Sequence, residues 1–187
     1  MADDDRARWD ARWRSAPVER SAPARFLGGL DDILPRAGAA LDVAGGAGRN
    51  ALWLARRGLA VTLVDVSPVA LERARVAAAA EGVSLDVVAL DLDQSPLPDG
   101  PFALVVSIDF LCRPLFDAFP TRLAPGGVLV YAQATTRNLE RHVHPSARFL
   151  LGEGELPRLV RGLDVVRYEE GWFDDRHEAR LAARKAA

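Results

Sequence analysis

The sequence predicts an α/β fold: a mostly parallel sheet with helices on both faces, closed by an antiparallel hairpin at its C-terminal end. Three observations carry this. From residue 39 onward, apolar runs of strand length alternate with helical stretches. The strand segments are continuously apolar, as in ALVVSI and VTLVDV, which suits strands buried on both faces. The last two strand segments have only a short connection, so they must run antiparallel.

Each element follows in order. Residues 5 to 14 read as a helix carrying Trp9 and Trp13 on one face, ended by Pro17 and Pro23. A second helix is expected from 24 to about 34, stopped by Pro35 and Gly38. Residues 39–43 are a strand, 49–57 a helix with Gly58 as its cap, and 60–66 a strand. Residues 68–81 form an alanine-rich helix behind Ser67, a good N-cap, with Pro68 at the first helical position. Strands are expected at 83–90 and 102–108, a helix at 114–123, and a strand at 127–134. A helix at 153–160 and strands at 164–170 and 177–183, joined by a loop holding Gly171, complete the chain.

Composition narrows the function classes. The chain has 187 residues, enough for one domain with a substantial core and short for two. A net charge of -2 gives no general attraction to nucleic acid or anionic membranes. The acidic start MADDDRARWD lacks the apolar core of a signal peptide, and no run approaches a membrane span. A cytoplasmic location is therefore expected. Cys112 is the only cysteine, so no internal disulfide forms. His142 and His144 have no clear third ligand beside them, so no metal site is expected.

Open parallel sheets bind ligands beyond the carboxyl ends of their strands. The first such turn reads Asp42-Val43-Ala44-Gly45-Gly46-Ala47-Gly48-Arg49-Asn50. Its glycines let a ligand lie on bare backbone, and the following helix points free N–H groups toward it. Asp65 ends the second strand, 23 residues after Asp42, where an acid accepts ribose hydroxyls. Asp91 ends the third strand, suited to an adenine amino group. An NAD(P)-binding oxidoreductase stays open as an alternative, since Gly46 to Ala51 also fits GxGxxA and Asp65 the ribose acid.

This set resembles the class I S-adenosylmethionine (SAM)-dependent methyltransferases. Asp42, Gly46 and Gly48 match the family's acid-glycine pattern, and Ala44 stands where its first glycine is usual. The opening RWDARW, the segment GAGRNALWLARRG and the stretch HPSARFLLGEGELPRL resemble the tellurite-resistance-like and thiopurine-like small-molecule enzymes in particular. The resemblance implies a Rossmann-like seven-stranded sheet, a single domain over 1–187 with 1–38 as a helical cap, and SAM as cofactor. It implies cofactor contacts from Asp42, Ala44, Gly45, Gly46, Gly48, Asn50, Asp65, Val66, Asp91, Leu92 and Ser107. It also implies closure of the site by Trp9, Arg12 and Trp13, with Trp13 where tyrosine is usual. The implied reaction is methyl transfer to a small molecule, without nucleic acid or membrane partners, by a monomer or homodimer. A non-enzymatic SAM-fold binding protein is a further alternative. Asp109, His142 and His144 are the candidate general bases, and Arg137 and Arg141 could attract an anionic acceptor.

Overall fold

The computed structural model describes residues 2–17 and 22–187. Its elements are α1 (Ala2–Ser15), α2 (Arg25–Gly28), β1 (Ala39–Val43), α3 (Arg49–Arg56), β2 (Ala60–Asp65), α4 (Pro68–Glu81), β3 (Leu85–Ala89) and β4 (Phe102–Ile108). After these come α5 (Phe119–Arg122), β5 (Leu123–Ala134), α6 (Leu156–Leu159), β6 (Asp164–Phe173) and β7 (Arg176–Arg184). The seven strands form one sheet in the order β3-β2-β1-β4-β5-β7-β6. The first five are parallel, and β7 pairs antiparallel with both β5 and β6. The expected Rossmann-like seven-stranded sheet with a terminal hairpin is therefore present.

Local chemistry sets the element ends. Ser67 accepts the Ala70 N–H at 3.1 Å, Pro68 opens α4, and Gly82 closes it at φ 67°. These stops coincide with the predicted 68–81 helix. Where cues are weaker, the elements shrink. The predicted 24–34 helix is a single turn, because Gly28 and Gly29 end it and turns follow. The predicted 114–123 helix splits into a 3-10 turn over Arg113–Asp117 and α5, and β5 begins already at Leu123. The predicted 153–160 helix is one turn, α6, preceded by the left-handed Gly154. The hairpin turn lies at Asp174-Asp175, with Asp174 at φ 56°. A left-handed aspartate suits a two-residue hairpin loop. Gly171, expected in the loop, pairs with Glu178 inside the ladder.

The sheet is covered on both faces, unequally. On one face α2, α3 and α4 bury Leu27, Leu30, Leu54, Leu71 and Ala74 against Leu63, Leu104 and Val130. On the other, short helices and loops bring Phe116, Phe119, Leu151 and Leu156 onto Leu41, Val105, Leu129 and Tyr131. Phe116, Phe119 and Tyr131 form an aromatic cluster with centroids 4.7–6.3 Å apart. No helix among the described residues is long and apolar enough to cross a membrane.

Candidate functional site

β3, β2 and β1 lie side by side and end at one edge, so Asp42, Asp65 and Asp91 are placed along it. Between Asp42 and α3 the chain turns through Ala44 (φ 53°), Gly46 (φ 58°) and Gly48 (φ 83°). The left-handed conformation costs a residue with a Cβ roughly 1–2 kcal/mol. Ala44, standing where the family usually has glycine, carries that strain. Ala44→Gly relieves it at some cost in unfolded-chain entropy, so we expect a gain of up to about 1 kcal/mol, or a melting temperature roughly 2–4 °C higher. A lower melting temperature would contradict this.

Asp42 lies under the loop, 1% exposed. Its Oδ2 accepts the Ala51 N–H at 3.1 Å, whereas its buried Oδ1 has no partner. Burial pushes the carboxyl up to about 7, opposed by the Ala51 N–H and reinforced by Asp65. A proton is thus retained in the folded protein at pH values where the unfolded chain, titrating at 3.8, has lost it. Stability contributed here falls as pH rises from about 4 to 7 and then levels off. Melting curves of wild type and Asp42→Asn across that range isolate the effect. The variant should show the shallower decline, and equal slopes would refute the assignment.

Asp65 organises the same loop. Its Oδ2 accepts the Gly46 N–H at 2.8 Å and its Oδ1 the Ser67 N–H at 2.9 Å. Burial raises its pKa, and these backbone donors oppose the rise. Val66 is half-buried beside it. Asp91 holds the turn after β3, accepting the Asp93 N–H and the Gln94 amide, each at 3.0 Å. Leu92 is buried beneath it.

The N-terminal helix covers this edge. A Cβ built on Gly46 would lie 2.5 Å from the Trp13 ring, so the indole sits directly on bare backbone. Asp10 accepts the Ser67 hydroxyl proton at 2.5 Å. Arg73 of α4 donates to the carbonyls of Trp13, Ala16 (2.9 Å) and Pro17 (2.7 Å), closing the C-terminal end of α1. Trp9 packs instead with Arg8 and Arg12 of its own helix, at 5.9 and 5.3 Å. The Asp10 and Arg73 contacts escaped sequence reasoning, because only the tertiary fold apposes α1 and α4.

A cleft of ≈ 510 Å³ opens next to the loop, starting at Arg49, the first residue of α3. Ile108, Asp109, Phe26 and Phe173 line it, together with His142 and His144. Asp109 is left-handed (φ 65°) and is held by Arg49 at 3.1 Å and Arg176 at 2.6 Å. His142 Nε2 lies 2.7 Å from the Asp175 carbonyl, and His144 is exposed.

Several predicted residues stand elsewhere. Ser107 is fully buried and registers with Val43 and Tyr131, in the layer opposite Asp42. Asn50 is spent on structure, since its Oδ1 accepts the Ala24 N–H at 2.9 Å. Arg137 pairs with Glu140, and Arg141 stacks 3.7 Å over Trp172, so the expected anion attractors do not line the cleft. Arg25, Arg49, Arg176 and Arg180 line it instead. Only Arg49, directly after the glycines, carried a sequence signal for this.

Residues 40–127 match the model of a family described as a methyltransferase domain. No curated protein sequence matches the chain. Among solved structures, the chain is similar to a protein from the conversion of a disulfide bond into a thioacetal group during echinomycin biosynthesis. That match has 21% identity and a TM-score of 0.73, covering 97% of this chain and 93% of that one. TehB from Haemophilus influenzae is similar at 19% identity and a TM-score of 0.72, over 86% of this chain and 61% of TehB. A SAM-dependent methyltransferase from Aquifex aeolicus matches at 19% identity and a TM-score of 0.66, over 86% and 89%. At such identities the likeness speaks for the fold, and the family model speaks for the reaction. The antiparallel β7 between β5 and β6 also departs from the mostly parallel dinucleotide-binding sheet, so the topology favours methyl transfer over the oxidoreductase alternative. Residues 40–127 thus form a methyltransferase domain, set in the sheet order of the SAM-dependent methyltransferase fold.

Proposed function

We propose that the methyl acceptor is a small molecule bound in the cleft lined by Ile108 and Asp109. The observation that carries this reading is continuity: Arg49 both ends the glycine loop and lines the cleft, so cofactor and acceptor spaces adjoin. When bound, SAM supplies a methyl carbon made electrophilic by its sulfonium. The protein's task is to align an acceptor with that carbon and exclude water.

In this reading the backbone of Ala44, Gly45, Gly46 and Gly48 cradles the cofactor. The orphaned Oδ1 of Asp42 suits a cationic donor such as an amino group. Asp65 and Val66 flank the ribose, and Asp91 with Leu92 the adenine. Trp13 seals the loop from above, with Trp9 and Arg12 supporting it in α1. Asn50 contributes by fixing the start of α2. Ser107 lies in the opposite layer, so in this reading Ile108 and Asp109, which line the cleft, contact the cofactor there instead. Residues 1–38 then act as the helical cap of a single domain. In this reading the enzyme is cytoplasmic, monomeric or homodimeric, and acts on neither nucleic acid nor membranes, in keeping with its weak negative charge. Incubation with radiolabelled SAM and a panel of small acceptors should yield SAM-dependent methylated product. Label appearing only in protein or nucleic acid would reject the small-molecule reading.

A further inference from the structure

The helix that covers the glycine loop is docked without a core of its own. Among the described side chains of α1 none is buried. Its ion pairs Asp5–Arg8 at 2.8 Å and Asp10–Arg14 at 3.9 Å lie within the helix itself. A helix of 14 residues with no buried apolar stripe is marginal alone, so tertiary contacts must hold it in place.

Those contacts come from α4 and the loop. Arg73 gathers the C-terminal end of α1. Its guanidinium donates to the carbonyls of Trp13, Ala16 (2.9 Å) and Pro17 (2.7 Å), and lies 5.8 Å from the centroid of the Trp13 ring. Carbonyls at a helix end lack partners within the helix and carry its negative dipole end, so one cation satisfies them and fixes the indole beside them. Further back along α1, Asp10 accepts the Ser67 hydroxyl proton at 2.5 Å and the Val69 N–H at 3.4 Å. Arg73 and Asp10 are both only partly buried, so water can replace each of these bonds when it breaks.

Trp13 lies on the bare face of Gly46, 2.5 Å from where a Cβ would stand. A cofactor resting on this loop therefore reaches or leaves Gly46 only while the indole is lifted. We propose that Arg73 is a positioning residue for the cofactor: acting through Trp13, it latches α1 over Gly46 and sets how fast the cofactor enters and leaves. Opening breaks polar contacts and one indole–backbone contact, and it leaves the sheet and α4 intact. A closed α1 blocks traffic both ways, so both rates scale with the fraction of time it is open. A residue that merely shaped the bound state would alter release and leave entry unchanged.

This inference rests on the glycine loop being the cofactor site. It is tested on the full chain by surface plasmon resonance with S-adenosylhomocysteine, comparing wild type, Arg73→Gln and Arg73→Lys. Arg73→Gln should speed association by about ten-fold and dissociation by at least as much, as the loss of a charge-assisted contact implies. Arg73→Lys keeps the charge but not the fork, and should fall between. Hydrogen exchange without ligand gives a second reading. The amides of α1 should exchange sooner than those of α4, and about ten-fold sooner again in Arg73→Gln, with α4 unchanged. If Arg73→Gln does not fold, Asp10→Ala removes the other anchor and carries the same expectations. Unchanged or slower association in the variant, or α1 amides that exchange as slowly as those of β1 and β4, overturns the inference. Absent binding to wild type overturns the cofactor reading and this inference with it, and the exchange pattern then shows whether the latch itself also fails.

Discussion

Replacing Asp65 with alanine should lower SAM affinity by about 10- to 100-fold, the worth of a charge-assisted hydrogen bond at a ribose. The same change should also destabilise the protein without any ligand. Asp65 is buried and accepts the N–H groups of Gly46 and Ser67, one in the cofactor loop and one at the cap of α4. Alanine leaves both donors short of a partner in a water-poor site. Losing two such bonds costs about 3 kcal/mol, or roughly 6–12 °C in melting temperature for a chain of this size. Asp65→Asn keeps one acceptor oxygen and should fall between. Calorimetry with S-adenosylhomocysteine together with a thermal melt checks both parts. Weakened binding at unchanged stability would mean that the carboxylate does not hold the loop.

Gly45→Ala should be as damaging, for a different reason. A Cβ at Gly45 would lie 2.3 Å from the Leu63 side chain and 2.5 Å from Asp42 Oδ2. Leu63 is fully buried and Asp42 is pinned by Ala51, so neither can yield cheaply. Overpacking of this kind costs about 1–3 kcal/mol, and here it also tilts the acid beneath the cofactor loop. We expect a melting temperature roughly 2–12 °C lower and SAM affinity reduced at least about ten-fold. Near-native stability would show that the loop can slide away from β2. By contrast, Gly82 meets no atom within 4 Å of such a Cβ, so alanine there strains only the backbone.

The contrast between α4 and α6 shows how much the sequence made legible. Around α4 every local cue agrees: serine cap, leading proline, closing glycine. Its ends are therefore set by chemistry within a few residues. Around α6 the composition is helical, but Gly152 and Gly154 precede it and the left-handed Gly162 follows, which leaves one turn. The hairpin was legible as two strands and misplaced in its turn. Glycine was the stronger local signal, whereas the sheet seats Gly171 opposite Glu178 and leaves the left-handed position to Asp174.

The candidate site divides in the same way. The acid-glycine edge was legible because Asp42, Asp65 and Asp91 each stand at the end of a strand, and parallel neighbours must end together. The adjoining cleft was not. Arg176, Glu178 and Arg180 come from β7, over 120 residues beyond the glycine loop, and reach it because β7 inserts beside β5. No local pattern signals that approach. Ser107 shows the period-two rule acting against a motif assignment, since one step along β4 moves a side chain to the opposite layer. Trp13 was legible as a partner of the loop, but the bonds of Asp10 and Arg73 that hold its helix depend on where α4 lies.

The central claim is that this edge of the sheet holds SAM on the loop from Asp42 to Asn50, with Asp65 beside it. Thermal unfolding in the presence of saturating S-adenosylhomocysteine, with NADH as the control, tests it most directly. A ligand held at 100 times its dissociation constant stabilises by about 2.7 kcal/mol, which raises the melting temperature by roughly 5–11 °C here. We predict that shift with S-adenosylhomocysteine, none with NADH, and loss of most of it in Asp65→Ala. A shift with NADH alone, or one with S-adenosylhomocysteine that Asp65→Ala leaves intact, would contradict the account.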